Sequence, residues 1–138
     1  MKFYNRQFGE LEFQEEHIIN FPSGLIGFEE NKKFLIVNDE DSQPFRWLLS
    51  LECDDLSFPL LDPTLILPEY NTNFDAKNNP AVFVVAALSE RIEKSYVNLR
   101  SPIIINKKAQ HGEQVVLDDD SLPVQYPLVP AEPQTVRK

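Results

Sequence analysis

The stretch Ala81-Val82-Phe83-Val84-Val85-Ala86-Ala87-Leu88 is the longest apolar run in the chain, and Pro80 stands directly before it. Eight residues are far too few to cross a bilayer, for which a helix needs about 20. Valine and phenylalanine favour extended backbone, because branched and aromatic side chains pack well on a pleated surface. The run does not alternate with polar residues. It therefore predicts a strand over Val82–Ser89 that is buried on both faces at the centre of a sheet.

The punctuation around this run extends the reading. Eleven prolines against four glycines break the chain into short pieces, which nearly excludes long helices. Further strands are expected at Lys2–Arg6 and Glu10–Phe13, joined as a hairpin through Phe8-Gly9, and at His17–Phe21, Lys33–Asn38 and Phe45–Leu51. Thr64–Leu67, Lys94–Arg100, Ile103–Asn106 and Gln114–Leu117 complete the set. In Glu10–Phe13, Leu11 and Phe13 alternate with Glu10 and Glu12, so one face is apolar and the other acidic. Single helical turns are expected at Phe28–Lys32 and around Phe74–Lys77. The fold class is thus mainly β, a small antiparallel barrel or sandwich with one or two short helical turns, and periodicity alone does not rank the two.

The chain of 138 residues is long enough to bury roughly two-thirds of its unfolded surface in one core. The expected domain spans residues 1–128, and the proline-bearing tail 129–138 is expected to be disordered. The net charge is −9. The tail holds two of the 13 basic residues and one of the 22 acidic ones, so residues 1–128 keep 11 against 21, or −10. Direct nucleic-acid binding and attraction to anionic membranes are disfavoured, because both draw on clustered Lys and Arg. The single cysteine, Cys53, excludes an intramolecular disulfide, and the first residues carry no apolar signal segment. Both fit a cytoplasmic protein.

Signals for catalysis are scarce. His17 and His111 have no His or Cys at metal-ligand spacing, and no phosphate-cradling glycine loop is present. Asp118-Asp119-Asp120 reads as a solvated turn, and so do Glu15-Glu16 and Asp39-Glu40-Asp41. No cofactor, metal or catalytic residue is expected. Two other function classes compete with an interaction protein. A ligand-binding, carbohydrate-type β-sandwich would display its aromatics, and Tyr4, Trp47, Tyr70, Tyr96 and Tyr126 are available. A carboxylate-pair hydrolase would need two acids at a working separation, which nothing here sets.

Three stretches stand out from surface filler. In Phe21-Pro22-Ser23-Gly24-Leu25-Ile26-Gly27-Phe28-Glu29, Gly24 and Gly27 permit positive φ and the phenylalanines can anchor the loop. Phe58-Pro59-Leu60-Leu61-Asp62-Pro63 brackets an apolar pair with prolines, which predicts an edge or a corner. In Val97-Asn98-Leu99-Arg100-Ser101-Pro102-Ile103-Ile104-Ile105-Asn106, Pro102 separates two strands, and Asn98 and Asn106 sit where side-chain amides bond backbone at turns.

These stretches, in this order, resemble the FliW family of flagellar assembly factors along nearly the whole chain. The opening Phe8-Gly9-Glu10, the loop Phe21–Glu29, Phe45-Arg46-Trp47-Leu48 and Phe58-Pro59 with Asp62-Pro63 are each similar to family segments. So are Val97-Asn98-Leu99, Pro102–Asn106 and Gly112 with Gln114–Leu117. Leu49 departs from the family, which often has Gln there. The resemblance implies a β-barrel-like monomer that is not an enzyme and has two partners, flagellin and the RNA-binding translational repressor CsrA. Flagellin holds the factor until flagellin is exported. The freed factor then antagonises CsrA allosterically and lifts repression of flagellin translation. Candidate partner-binding residues are Gly24, Gly27, Phe28, Phe58, Pro59, Leu60, Asp62, Asn98, Pro102 and Asn106. Glu10, Glu12, Glu15, Glu16, Asp118, Asp119 and Asp120 are the candidate electrostatic surface toward a basic partner.

Overall fold

Eleven strands run in order through the computed structural model, which describes residues 1–72, 74 and 80–128. They are β1 (Lys2–Asn5), β2 (Gly9–Glu12), β3 (Ile19–Asn20), β4 (Lys33–Asn38), β5 (Arg46–Ser50), β6 (Ser57–Leu61), β7 (Ala81–Ala87), β8 (Tyr96–Val97), β9 (Ile103–Asn106), β10 (His111–Gln114) and β11 (Tyr126–Pro127). Seven of them close a barrel in the order β7-β6-β5-β4-β3-β10-β9, and β9 pairs back onto β7. All the pairings are antiparallel except β3 with β10, which meet at one parallel pair, Asn20 and His111. β8 and β11 extend the sheet outward from the end of β7. β1 and β2 form the expected separate hairpin, with Phe3 opposite Leu11.

The apolar character of β7 on both faces has a direct cause. Phe83, with Ala81 and Val85 partly buried, joins the barrel interior alongside Phe21, Phe34, Leu48, Leu60, Ile103 and Ile105. The alternate residues Val82, Val84 and Ala86 face a second core of Leu61, Tyr70, Val97 and Leu99. One strand thus serves two cores, and neither face can be polar. Tyr70 is buried in the second core and donates its phenol to the Leu99 carbonyl at 2.6 Å. Burial pushes its pKa up to about 12.

The strand expectations at Lys33–Asn38 and Ile103–Asn106 coincide with β4 and β9. Others need correction. His17–Phe21 does not run as one strand: Glu15–His17 is a 3-10 turn in which Gln14 N donates to His17 Nδ1 at 3.0 Å, and pairing begins only at Ile19. Thr64–Leu67 is not a strand either. Asp62 accepts from Thr64 N at 3.0 Å and Pro63 holds the first position, which together start a 3-10 turn over Pro63–Leu65. The last barrel strand begins at His111 rather than Gln114. Beyond it, Val115 N still bonds Pro102 O and Leu117 N still bonds Arg100 O. Two more 3-10 turns lie at Glu40–Ser42 and Ile92–Lys94. Phe28–Lys32 is not helical: Phe28 bonds back to Leu25 O and Asn31 to Phe28 O as successive tight turns. The turn expected around Phe74–Lys77 and the tail 129–138 lie outside the described residues, Phe74 excepted.

Of the stretch expected as an edge or corner, Phe58–Pro63, the part Phe58–Leu61 belongs to an inner strand, β6, between β5 and β7, and only Asp62-Pro63 turns. Asn98 N donates to Val85 O, so Val85 turns its backbone to β8 and Val84 and Ala86 turn theirs to β6. Leu61 pairs with Val84, so Leu61 and Pro59 face β7, while Phe58 and Leu60 serve the unbroken ladder to β5. Pro59 therefore sets its missing N–H against β7, and that ladder stops at Leu60. A proline is tolerated inside the barrel because the two strands part there.

Candidate functional site

On the Pro59 side of Leu60, β6 and β7 no longer pair. The loop between β3 and β4 reaches β6 there, through Phe28 against Phe58. Phe21 is fully buried, and Gly24 N bonds back to the Phe21 carbonyl at 2.8 Å. Gly24 takes φ +67°, and a Cβ there would lie 2.6 Å from Glu29 Cα, so only glycine fits. Gly27 takes φ +88° at the tip. Its N–H donates to the Glu29 carboxylate at 3.1 Å, and this bond holds that carboxyl below the ordinary glutamate range. Leu25 is buried. Ile26 and Phe28, by contrast, remain 55% and 40% exposed, and Phe28 rests edge-on against Phe58 with ring centroids 5.1 Å apart.

Between this loop and the end of β7 lies a groove of about 430 Å³. Leu25, Phe58, Val85 and Ala86 line it, together with Ile26, Phe28, Ala87, Tyr96 and Val124. Asn98, Ser101 and Gln114 supply its polar lining, and no charged side chain among the described residues lines it. That neutrality stands out in a chain with 35 charged residues. Ile26, Phe28 and Val124 are three of the large apolar side chains left exposed, and Leu88 follows directly on the groove residue Ala87. Clustered exposed apolar surface of this kind makes the groove the candidate functional site.

The expected partner-binding residues divide into four groups. Phe28, Phe58 and Asn98 line the groove, and Gly24 and Gly27 shape the loop that walls it. Leu60 is fully buried in the barrel interior, and Pro102 is buried. Pro59 ends the β6–β7 ladder, as shown above. Asp62 and Asn106 cap turns away from the groove, Asn106 by accepting from Ala109 N at 3.2 Å. Asn98 has a turn role too, accepting from Arg100 N and Ser101 N at 3.1 Å each. The sequence reading did not single out Ala87, Val124 or Gln114 for this site. Gln114 carried a signal, since it stands in one of the family-like segments.

The acidic candidates lie elsewhere. Glu10 and Glu12 point outward from β2, and Glu15 and Glu16 are exposed in the following turn. Asp118, Asp119 and Asp120 are exposed in the connection between β10 and β11. Asp119 accepts from the Ser121 hydroxyl at 2.6 Å and from Ser121 N at 3.0 Å, which holds its carboxyl below the usual range. Among the described residues no group of three or more His, Cys, Asp or Glu is placed to hold a metal ion. The Cys53 thiol donates to Asp55 at 2.9 Å, and that bond pushes its pKa up. The five aromatics of the carbohydrate reading do not share a face. Tyr70 is buried, Trp47 packs under Phe8 at 5.9 Å, Tyr4 is on the hairpin, Tyr96 lines the groove and Tyr126 lies on β11.

Comparison with known proteins agrees with this architecture. The family described as FliW protein matches residues 2–128. A flagellar assembly factor FliW of Caldicellulosiruptor bescii is 40% identical, covering 90% of this chain and 88% of its own length. One of Caldanaerobacter subterraneus subsp. tengcongensis is 34% identical over 94% of this chain and 93% of its own. A crystal structure of the flagellar assembly factor FliW superposes with a TM-score of 0.84 at 27% identity, covering 96% of this chain and 99% of that one. No helix among the described residues is long and apolar enough to cross a membrane. The sequence motifs, the closed seven-stranded barrel and these relatives agree: the chain belongs to the FliW family of flagellar assembly factors.

Proposed function

We propose that this flagellar assembly factor works as a non-enzymatic partner switch in the cytoplasm, binding flagellin while flagellin accumulates and CsrA once flagellin has been exported. In the CsrA complex it antagonises repression of flagellin translation allosterically, as a monomer, without touching RNA. The observation that carries this reading is the uncharged apolar groove rimmed by Ile26 and Phe28. Buried aromatic and aliphatic anchors hold a protein interface, while charged rims mainly steer it. The acidic body, −10 over residues 1–128, supplies a steering field toward a basic RNA-binding partner and repels phosphate beside it.

The test is a calorimetric titration of the protein into CsrA from the same organism, repeated with flagellin already bound. Tight binding that flagellin abolishes is the expected result. Binding to flagellin alone would leave a chaperone-like role without translational control, and binding to neither would overturn the proposal.

A further inference from the structure

We infer that Gln114 is the positioning residue of the groove, the side chain that presets the loop Leu25–Phe28 in the shape a partner meets; this rests on the groove being the docking face. Gln114 closes β10 and uses both ends of its carboxamide. Oε1 accepts from Ile26 N at 2.9 Å, and Nε2 donates to Ser101 O at 3.0 Å. One planar head thus joins the β3–β4 loop, 88 residues earlier in sequence, to the β8–β9 connection.

The loop's other hydrogen bonds are local. Gly24 N bonds Phe21 O, Phe28 N bonds Leu25 O and Gly27 N bonds Glu29. Among the described residues Gln114 is the one hydrogen-bond partner of residues 24–28 that lies outside the β3–β4 loop, residues 21–32. It bonds Ile26, whose side chain is the most exposed in the loop's apolar set. Leu25 pins the base of the loop in the core. Gln114 pins its tip, so that Ile26 and Phe28 are held out together. A partner then meets an ordered surface and does not bear the conformational cost of ordering it.

The chemistry requires a side chain that both accepts and donates at this reach. Glutamate keeps the acceptor for Ile26 and loses the donor to Ser101. Methionine has similar length and offers neither. The experiment compares Gln114→Met and Gln114→Glu with the parent chain, well below their melting temperatures. It measures amide hydrogen exchange at Ile26 and calorimetric Kd for flagellin and for CsrA.

In Gln114→Met, Ile26 exchange is expected to quicken at least tenfold and partner affinity to fall about tenfold. In Gln114→Glu, Ile26 stays protected and most of the affinity returns. A purely structural role would lower the melting temperature of Gln114→Met and leave the affinity of the folded protein unchanged. That result, or unchanged Ile26 exchange in Gln114→Met, overturns the inference. If Gln114→Met does not fold, Gln114→Asn, too short to reach Ile26, takes its place in the comparison with Gln114→Glu. If the parent chain binds neither protein, the docking reading fails, and the Ile26 exchange rates still decide the positioning role.

Discussion

Replacing Gly112 by alanine adds one methyl group to β10, and the structure gives it no room. Gly112 stands opposite Ile105 of β9, and the ring of Phe21 lies over it. A Cβ at Gly112 would fall 2.4 Å from Phe21 Cζ and within 2.8 Å of both Cε atoms. Carbon atoms rest at about 3.5–4.0 Å, so ring or strand must move by more than about 1 Å. The ring cannot swing away freely. It is fully buried and stands edge-on to Phe34 at 5.1 Å. Overpacking a closed core costs about 1–3 kcal/mol, and a methyl group driven into a ring on all its near edge belongs at about 3 kcal/mol. For a chain of this size that lowers Tm by about 10 °C. Thermal unfolding followed by circular dichroism measures it. The double variant Gly112→Ala with Phe21→Leu, which shortens the obstructing ring, should lose at least about 1 kcal/mol less than the sum of the single changes. A drop of less than about 3 °C, or strict additivity, would refute the reasoning that glycine is required by the Phe21 ring.

Phe58→Ala should lower stability by about 2–3 kcal/mol in a thermal melt, because its ring packs against both Phe28 and Phe34. Phe28→Ala, by contrast, should leave Tm within about 2 °C and weaken binding to the flagellin or CsrA partner; equal losses of stability would make Phe28 a core residue instead. Association with CsrA, followed by stopped flow, should slow at least tenfold between 0.05 and 0.5 M salt as screening shortens the field of the acidic surface, and a salt-independent rate would remove steering from the mechanism. Tyr70 should ionise only as pH approaches 12, read as the difference between ultraviolet pH titrations of the parent chain and Tyr70→Phe. Its folded pKa of about 12 lies above the unfolded value near 10, so its contribution to stability is complete below about pH 10 and is lost as pH rises toward 12; ionisation of Tyr70 near pH 10 in the folded protein would contradict its burial.

The parts of the fold legible in the sequence are those where local pattern and tertiary role agree. Lys33–Asn38 and Ile103–Asn106 are short, apolar and β-branched, and they form β4 and β9 with those limits. The run at Ala81–Leu88 announces a strand buried on both faces because it serves two cores. Closure of the barrel was expected from the family resemblance and not from the strand pattern. It depends on Ala81–Phe83 pairing with Ile103–Ile105, a contact that no local signal encodes. Pro59 misled for a physical reason: a proline argues against an inner strand, and here its missing N–H falls where β6 and β7 already part. The loop at Phe21–Glu29 stood out through its glycines, and both take the positive φ that the sequence suggested. The groove as a whole was hidden. Ala87, Tyr96 and Val124 are the same residue types as the core, and only the third dimension shows that they line an opening. Asn98 and Asn106 were readable as turn residues, and their side chains bond the backbone at turns.

The most direct test of the groove as the docking face is amide hydrogen exchange on the protein alone and saturated with flagellin, with the same pair for CsrA. Slowed exchange at Leu25–Phe28, Ala86–Leu88 and Tyr96–Asn98 in at least one complex is the predicted result. Protection confined to surfaces away from the groove, such as the Lys2–Glu12 hairpin, in both complexes would contradict it.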